Sequence, residues 1–202
     1  MSPDMAHARL VAAAASFSPP LRDALIRTGP LWFPEREDRG LGTYLSRAVV
    51  GQQLSTNAAR TIWARLETRA AAVEEPLLAL LRADNTAALR ACGVSANKAK
   101  ALIAVAEAAA AGRLDAALVR AMDHPARSEH LCGIWGIGQW TCDMVSIFYC
   151  RDPDVWPAGD ASVRRMFATF IGRRKSADAV RRFAPYRSIL ALHMWQLLDR
   201  TP

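Results

Sequence analysis

The chain has 202 residues, of which 51% are apolar and 22% are charged, and this balance is ordinary for a globular protein. It excludes an intrinsically disordered chain, a collagen-like chain and a scaffold held by disulfides. The net charge is +7 and the isoelectric point is about 9.8, which favours nucleic acid or an acidic substrate as the partner. No apolar stretch is long and uncharged enough to span a membrane.

Helical periodicity dominates the chain, and its 39 alanines strengthen this prediction because alanine is the best helix former. In chain order, we predict helices near residues 4–15, 19–28, 41–50, 55–69, 76–83, 84–93, 95–112, 114–122, 126–133, 139–149, 160–171, 176–183 and 186–199. Ser55, Asp84 and Ser95 are expected to cap the helices that follow them. No alternating strand is evident, so the predicted fold class is all-α. Since the connections are short, we expect residues 1–202 to form a single domain, a compact helical bundle of two small lobes.

The chain contains four cysteines, which are Cys92, Cys132, Cys142 and Cys150. Their spacing matches neither a zinc-finger pattern nor the tight run that binds an iron–sulfur cluster. We therefore expect four reduced and buried thiols without a metal-binding or redox role.

A glycine-rich turn between two predicted helices is the most unusual motif in the chain. Residues 131–145 read Leu-Cys-Gly-Ile-Trp-Gly-Ile-Gly-Gln-Trp-Thr-Cys-Asp-Met-Val. Glycine permits a left-handed turn and lets a partner approach the backbone amides, which open the next helix, where the dipole attracts an anion. With Ile137 pinning the turn to the core, the motif is suited to hold one phosphate without reading base sequence. The alternative is a plain glycine-rich connection.

This hairpin resembles that of the helix–hairpin–helix DNA glycosylase superfamily, and other segments agree with it in order and spacing. They are Ala48-Val-Val-Gly-Gln-Gln-Leu-Ser55, Cys92-Gly-Val-Ser-Ala-Asn-Lys98, Trp156-Pro-Ala-Gly-Asp160 and the run from Tyr186-Arg-Ser to His193-Met-Trp195. Together they cover about residues 41–199 and are most similar to the 3-methyladenine DNA glycosylase II family. The resemblance implies a DNA-binding cleft between the two lobes. From the length of 202 residues, we expect no separate N-terminal β domain of the kind found in the bacterial type protein.

Asp160 stands where the family has its catalytic carboxylate, twenty residues after Trp140. The resemblance thus implies cleavage of an N-glycosidic bond, in which a carboxylate stabilises the oxocarbenium-like sugar and helps water to add. An aspartate at a helix start also fits an N-cap, and the two roles can coexist. Bifunctional relatives form a Schiff base through a hairpin lysine, but Trp140 occupies that position here. We therefore expect an enzyme without lyase activity, which leaves an abasic site.

The damaged base must leave the duplex before it can be cut, so the resemblance implies both a base pocket and a wedge. Three residues match pocket positions of the family: Trp140, Met144 and Trp195. Tryptophan faces would attract a cationic methylated purine, and core packing is the alternative role for each tryptophan. The wedge would come from the turn at residues 50–53, where Val50 and Gln53 are both candidates.

The resemblance also implies which groups hold the DNA backbone. The amides of Gly136, Gly138 and Trp140 would contact a phosphate. Basic side chains that could add charge are Arg164, Arg165, Arg173, Arg174 and Lys175. In the family, the hairpin often binds a monovalent cation through backbone carbonyls, which here belong to Cys132, Ile134 and Ile137. That site depends on DNA, and we expect no other cofactor.

The predicted function is a monofunctional DNA glycosylase of base excision repair that flips out and excises alkylated purines, of the 3-methyladenine and 7-methylguanine type, from duplex DNA. We expect a monomer without a membrane partner, in the bacterial cytoplasm and associated with the nucleoid. Because Met144 and Ala161 stand where the family has aromatic residues, a related glycosylase for deaminated or mismatched bases is one alternative. A non-catalytic helix–hairpin–helix DNA-binding module is the other, although such a module gains nothing from an acid beside DNA phosphates.

Overall fold

The computed structural model describes residues 2–35, 39–172 and 176–199, except the side chains of Ser176 and Ala177. Helices and their connections make up these ranges, in which no strand occurs, and the predicted all-α fold class is confirmed. The helices are α1 (Pro3–Ala15), α2 (Pro19–Thr28), α3 (Leu41–Gly51), α4 (Thr56–Ala72), α5 (Leu77–Leu80), α6 (Thr86–Ala91), α7 (Ala96–Ala110), α8 (Ala116–Ala121), α9 (His124–Cys132), α10 (Gln139–Met144), α11 (Ala161–Ile171), α12 (Ser176–Ala179) and α13 (Arg187–Asp199). Within the described ranges, no helix combines the length and the apolar character that crossing a membrane requires.

Serine side chains begin α4 and α7, as the sequence predicts. Ser55 Oγ and Ser95 Oγ each accept a hydrogen bond from the backbone amide three residues ahead, both at 3.3 Å. The predicted cap at Asp84 is wrong, because the chain first makes a 3-10 turn at Ala83–Asn85 and α6 then begins without a side-chain cap. The predicted helix over residues 76–83 is correspondingly reduced to the single turn of α5.

The first compact unit comprises Met1–Arg36 and Ser146–Pro202. In it α1 packs on α2, and α11 packs on α13. The largest buried side chains of this core include Leu10, Leu25, Phe167 and Phe183, and the two phenylalanine rings meet edge to face with centroids 5.9 Å apart. This packing anchors α11, the helix that follows Asp160.

The second compact unit comprises Glu37–Val145. In it α3 packs against both α4 and α7, and α9 packs against α10. Gly42 permits the close approach of α3 to its neighbours, because a Cβ atom there would lie 2.9 Å from Leu78 Cδ1 and 3.3 Å from Ala109 Cβ. This unit carries the glycine hairpin between α9 and α10.

Candidate functional site

The two glycines of the hairpin have different structural roles. Gly136 has a φ of +86°, and a Cβ atom there would lie only 2.4 Å from Ala101 Cβ, so both its backbone conformation and its packing require glycine. Gly138 has a φ of −104°, which any residue adopts, and a Cβ atom there would meet open space. The left-handed turn is therefore confirmed at Gly136, whereas Gly138 leaves room for a partner. Ile137 between them is buried, as predicted.

The surface of the hairpin combines helix-start amides with exposed aromatic rings. Gly138 is the N-cap of α10 and provides no side-chain cap, and the first amides of a helix have no acceptor within that helix. Trp135 and Trp140 are 45% and 40% exposed, and Lys100 Nζ lies 4.3 Å from the centroid of the Trp135 ring. Trp140 is therefore more exposed than a tryptophan packed wholly in the core. This surface suits an anionic partner.

A polar network around the buried Asp143 joins α9 to α10, and the sequence analysis missed it. Asp143 Oδ1 accepts a hydrogen bond from Gln139 Nε2 at 2.8 Å and lies 3.0 Å from His124 Nε2. Gln139 Nε2 also donates to Ser128 Oγ at 3.1 Å. The Asp143 side chain is only 3% exposed, and these partners offset the cost of burying its charge. The spacing of four residues between Gln139 and Asp143 was the sequence signal for part of this network.

The structure distinguishes between the two wedge candidates, Val50 near the end of α3 and Gln53 in the turn that follows it. Val50 is 1% exposed, and its side chain belongs to the core of the second unit. Gln53 is exposed and has a φ of +56°, which is uncommon for a residue other than glycine. The neighbouring Leu54 is also exposed, and this apolar surface residue was missed by the sequence analysis.

Two side chains hold this turn in place. Lys98 Nζ donates hydrogen bonds to the carbonyl oxygens of Val50, at 2.7 Å, and Gln52, at 2.8 Å, and burial lowers the pKa of Lys98. Gln52 Nε2 donates to the carbonyl oxygen of Gly136 at 3.3 Å and to Thr141 Oγ1 at 3.4 Å. The turn and the hairpin are thus joined directly within the second unit.

In the first unit, Asp160 is the N-cap of α11. Its Oδ1 accepts hydrogen bonds from the amides of Ser162, at 3.0 Å, and Val163, at 2.9 Å. The side chain therefore caps the helix, as its position in the sequence suggests. The residue is partly exposed. A carboxylate oriented by two amides can stabilise a positive charge that develops next to it.

The loop before Asp160 is tied to the start of α13. Arg187 and Asp154 form a bidentate ion pair, in which Nε lies 2.7 Å from Oδ1 and Nη2 lies 2.9 Å from Oδ2. Ser188 Oγ accepts a hydrogen bond from the Val155 amide at 2.9 Å and donates to a loop carbonyl oxygen 2.7 Å away. The Tyr-Arg-Ser motif therefore positions the segment that leads to Asp160.

The remaining predicted residues divide between the two units. Arg164 and Arg165 are both exposed near the start of α11. Trp195 on α13 is half-buried, and its ring centroid lies 5.6 Å from that of Phe148. The first unit holds Asp160, Arg164, Arg165 and Trp195, and the second holds Val50, Gln53, Gly136, Gly138, Trp140 and Met144, of which Met144 is buried. The predicted basic residues Arg173, Arg174 and Lys175 lie outside the described residues.

The carbonyl groups expected to hold a cation belong to the hairpin of the second unit. The Ile134 carbonyl oxygen accepts a hydrogen bond from the Ile137 amide at 3.1 Å, and it retains a second lone pair. Together with the Cys132 and Ile137 carbonyls it would form a set of hard oxygen donors, which fits an alkali cation better than a transition metal. Among the described residues, no three His, Cys, Asp or Glu side chains cluster as metal ligands.

The prediction that all four cysteines are buried is wrong. Cys92 and Cys142 are buried, but Cys150 is half-buried and Cys132 is exposed. Cys132 is exposed because α9 ends there, at the start of the surface hairpin. Burial raises the pKa of the Cys142 thiol.

A chain of net charge +7 with a glycine hairpin that presents the first amides of a helix has the charge and the hydrogen-bond donors that suit a phosphate backbone. The chain belongs to the HhH-GPD superfamily of base excision DNA repair proteins, whose sequence profile matches residues 46–184. The predicted superfamily is therefore confirmed.

Individual relatives support the same assignment. The chain is 31% identical to DNA-3-methyladenine glycosylase 1 of Schizosaccharomyces pombe over 162 residues, which are 75% of this chain and 70% of that protein. It superposes on the structure of S. pombe 3-methyladenine DNA glycosylase (Mag1) in complex with abasic DNA with a TM-score of 0.82 and 26% identity, covering 98% of each chain. A DNA-3-methyladenine glycosidase structure from Bacillus halodurans gives a TM-score of 0.82 at 27% identity, covering 99% of this chain and 92% of that one.

Proposed function

We propose that the protein is a monofunctional DNA glycosylase that removes alkylated purines from double-stranded DNA and leaves an abasic site. The observation that carries this proposal is Asp160, a carboxylate oriented by two amides in a chain of the base excision repair superfamily. The substrate class is supported by its relatives in S. pombe and B. halodurans, which are named for 3-methyladenine.

In the proposed reaction, the bond between sugar C1′ and the purine nitrogen breaks, and its electron pair leaves with the base. A purine alkylated at N3 or N7 carries a positive charge, so it departs as a neutral base and needs little acid catalysis. The sugar becomes oxocarbenium-like, and the Asp160 carboxylate stabilises that positive charge. Water then adds to C1′ with loss of a proton, for which Asp160 is the proposed acceptor.

We assign contacts with the DNA backbone to the amides of Gly136, Gly138 and Trp140. The open space at Gly138 supports this assignment, since no side chain blocks the approach of a phosphate. Arg164 and Arg165 are exposed and would add positive charge, which makes the affinity for DNA depend steeply on salt.

Gln53 is the proposed wedge that fills the gap left by the flipped base. Its side chain is exposed on a turn held by Lys98 and Gln52, whereas Val50 would have to leave the core to reach DNA. A fixed turn limits the conformational entropy that would be lost when a side chain inserts into the duplex.

The residues proposed to contact the damaged base are Trp140 and Met144 of the second unit and, taken separately, Trp195 of the first unit, because tryptophan faces attract a cationic ring. Lyase activity is not expected, because Trp140 takes the place of the Schiff-base lysine in bifunctional relatives. Lys98 does not substitute for it, since its ammonium group donates to two backbone carbonyls.

A monovalent cation at the carbonyls of Cys132, Ile134 and Ile137 would offset phosphate charge when DNA is bound, and the proposed hydrolysis requires no other cofactor. We propose that the protein acts as a monomer on damaged double-stranded DNA in the cytoplasm of a bacterial cell.

The test is release of free bases from methylated duplex DNA by the wild type and by Asp160→Asn. We expect 3-methyladenine and 7-methylguanine from the wild type, release about 100-fold slower or more from the variant, and similar DNA affinity for both in an anisotropy titration. Borohydride should trap no covalent protein–DNA adduct, and an efficient adduct would refute the monofunctional assignment.

Other outcomes would replace the proposal with a named alternative. If neither protein releases a methylated base, duplexes that contain uracil or hypoxanthine are the next substrates, and release there would assign the enzyme to deaminated bases. Tight DNA binding without any release would identify a binding module.

A further inference from the structure

Two cysteines bracket the hairpin and bring their sulfur atoms close together. Cys132 is the last residue of α9, and Cys142 lies within α10. Their Sγ atoms are 3.0 Å apart, which is a contact between thiols, because a disulfide bond is about 2.05 Å long. Both residues belong to the second unit, so this contact lies within one compact body.

The two thiols differ in their access to solvent. Cys132 is exposed, so a dissolved oxidant can reach it. Cys142 is buried, and its Sγ atom lies 3.8 Å from the carbonyl oxygen of Ser128. An exposed thiol that reacts first, next to a second thiol that resolves the product, is the arrangement found in reversible cysteine oxidation.

We propose that Cys132 and Cys142 form an oxidation site at which a peroxide produces an intrachain disulfide across the hairpin. The Cys132 thiolate attacks a peroxide oxygen, the O–O bond breaks, and a sulfenic acid forms with release of hydroxide. The Cys142 sulfur then attacks Cys132 Sγ, the S–O bond breaks, and the leaving hydroxide takes the thiol proton as water. Two thiols lose two electrons in total, and one hydrogen peroxide becomes two water molecules.

The resulting bond joins the end of α9 to the middle of α10. The closed loop contains Gly136 and Gly138, so it encloses the whole glycine hairpin. Closing a loop reduces the conformational entropy of the unfolded chain and stabilises the folded one. A small thiol reductant reverses the modification.

The test uses a Cys92→Ser/Cys150→Ser double variant, in which Cys132 and Cys142 are the two remaining cysteines. The full-length protein is treated with hydrogen peroxide, denatured, and exposed to a thiol-alkylating reagent before its mass is measured. We expect the mass of the protein to fall by that of two hydrogens, with neither cysteine alkylated. We also expect the Tm to rise by about 5 °C, and dithiothreitol to reverse both changes. Adding Cys132→Ser or Cys142→Ala should each abolish the loss of two hydrogens.

Peptide mapping identifies the bond. Trypsin leaves both cysteines in the one peptide between Arg127 and Arg151. A second digestion that cleaves after Trp135 and Trp140 places the two cysteines in different peptides, which stay together only if a disulfide bond links them. A linked pair of peptides is the expected result. Oxygen added to Cys132 without a link, or a disulfide between two protein molecules, would overturn the proposal. Base excision is not part of either measurement, so failure here leaves the proposed function untouched.

Discussion

The ammonium group of Lys98 lies 2.8 Å from the carbonyl oxygen of Gln52, the residue that caps the C-terminus of α3, and 2.7 Å from that of Val50. A helix leaves its last carbonyls without partners, and a cation there also interacts favourably with the helix dipole. The turn that presents Gln53 therefore depends on a side chain from the start of α7.

Lys98→Met should destabilise the protein by about 2 kcal/mol, because it leaves two carbonyls without their donor. We also expect slower excision, since the turn that carries Gln53 loosens. Urea denaturation and single-turnover base release measure the two effects. Lys100→Met is the matched control, as it removes the same charge from a side chain that contacts Trp135 instead. Equal losses in the two variants would mean that charge, and not support of the turn, is responsible.

The two hairpin glycines should respond differently to alanine. Gly136→Ala places a Cβ atom 2.4 Å from Ala101 Cβ on a backbone with a φ of +86°, so it should destabilise the fold by about 2 kcal/mol or more. Gly138→Ala meets open space in an ordinary conformation and should leave Tm nearly unchanged while DNA binding weakens. Thermal melts and anisotropy titrations distinguish the effects. Unchanged DNA affinity in Gly138→Ala would exclude a close phosphate contact there.

Ser188→Ala should act on catalysis through the loop before Asp160. The buried hydroxyl accepts a hydrogen bond from the Val155 amide at 2.9 Å. The loss of this hydrogen bond should lower the free energy of unfolding by about 1–3 kcal/mol. Because the loop shifts, we expect the rate of base release to fall while the affinity for DNA stays close to that of the wild type. Thr169→Ala, which changes an exposed hydroxyl on α11, is the control. A loss of affinity equal to the loss of rate would argue against a positioning role.

The pH dependence of stability should carry the signature of the buried His193 and its half-buried neighbour His7 in the first unit. Burial lowers the pKa of His193 below its ordinary value of 6.5, and burial also lowers that of His7, whose ring centroid lies 5.7 Å away. Near and below pH 6.5 the unfolded chain therefore binds more protons than the folded chain. The free energy of unfolding keeps this contribution above that pH and loses it as the pH falls.

We therefore expect Tm to drop between about pH 7.5 and about pH 5.5, where histidine titrates. The same measurement on His193→Gln should show a smaller drop over this range. If the variant keeps the full slope, groups other than His193 control the acid sensitivity.

Most helices could be predicted because their boundaries are local signals, such as the serine caps of α4 and α7. Asp84 shows the limit of such signals. Leu80 and Leu81 are both buried, and the chain leaves the helix at this point. Since α6 has no side-chain cap, its start depends on tertiary packing and not on a local capping signal.

In the candidate site too, some features follow from local sequence signals and others from tertiary packing. The positions of Asp160 and of the hairpin follow from sequence motifs alone. The choice between Val50 and Gln53 does not, because it depends on which side of α3 packs into the core. Lys98 contacts the turn across many intervening residues, and no local pattern encodes that contact.

The hydrogen bonds that Asp160 Oδ1 accepts from two backbone amides also bear on how this position can change in evolution. Asparagine retains an oxygen that can cap α11, but it lacks the negative charge. Selection for folding alone would accept either residue, whereas a hydrophobic replacement would lose the helix start. An acid here is thus kept only by demand for its charge, and under the proposed mechanism a descendant with asparagine at this position would keep the fold but lose base release.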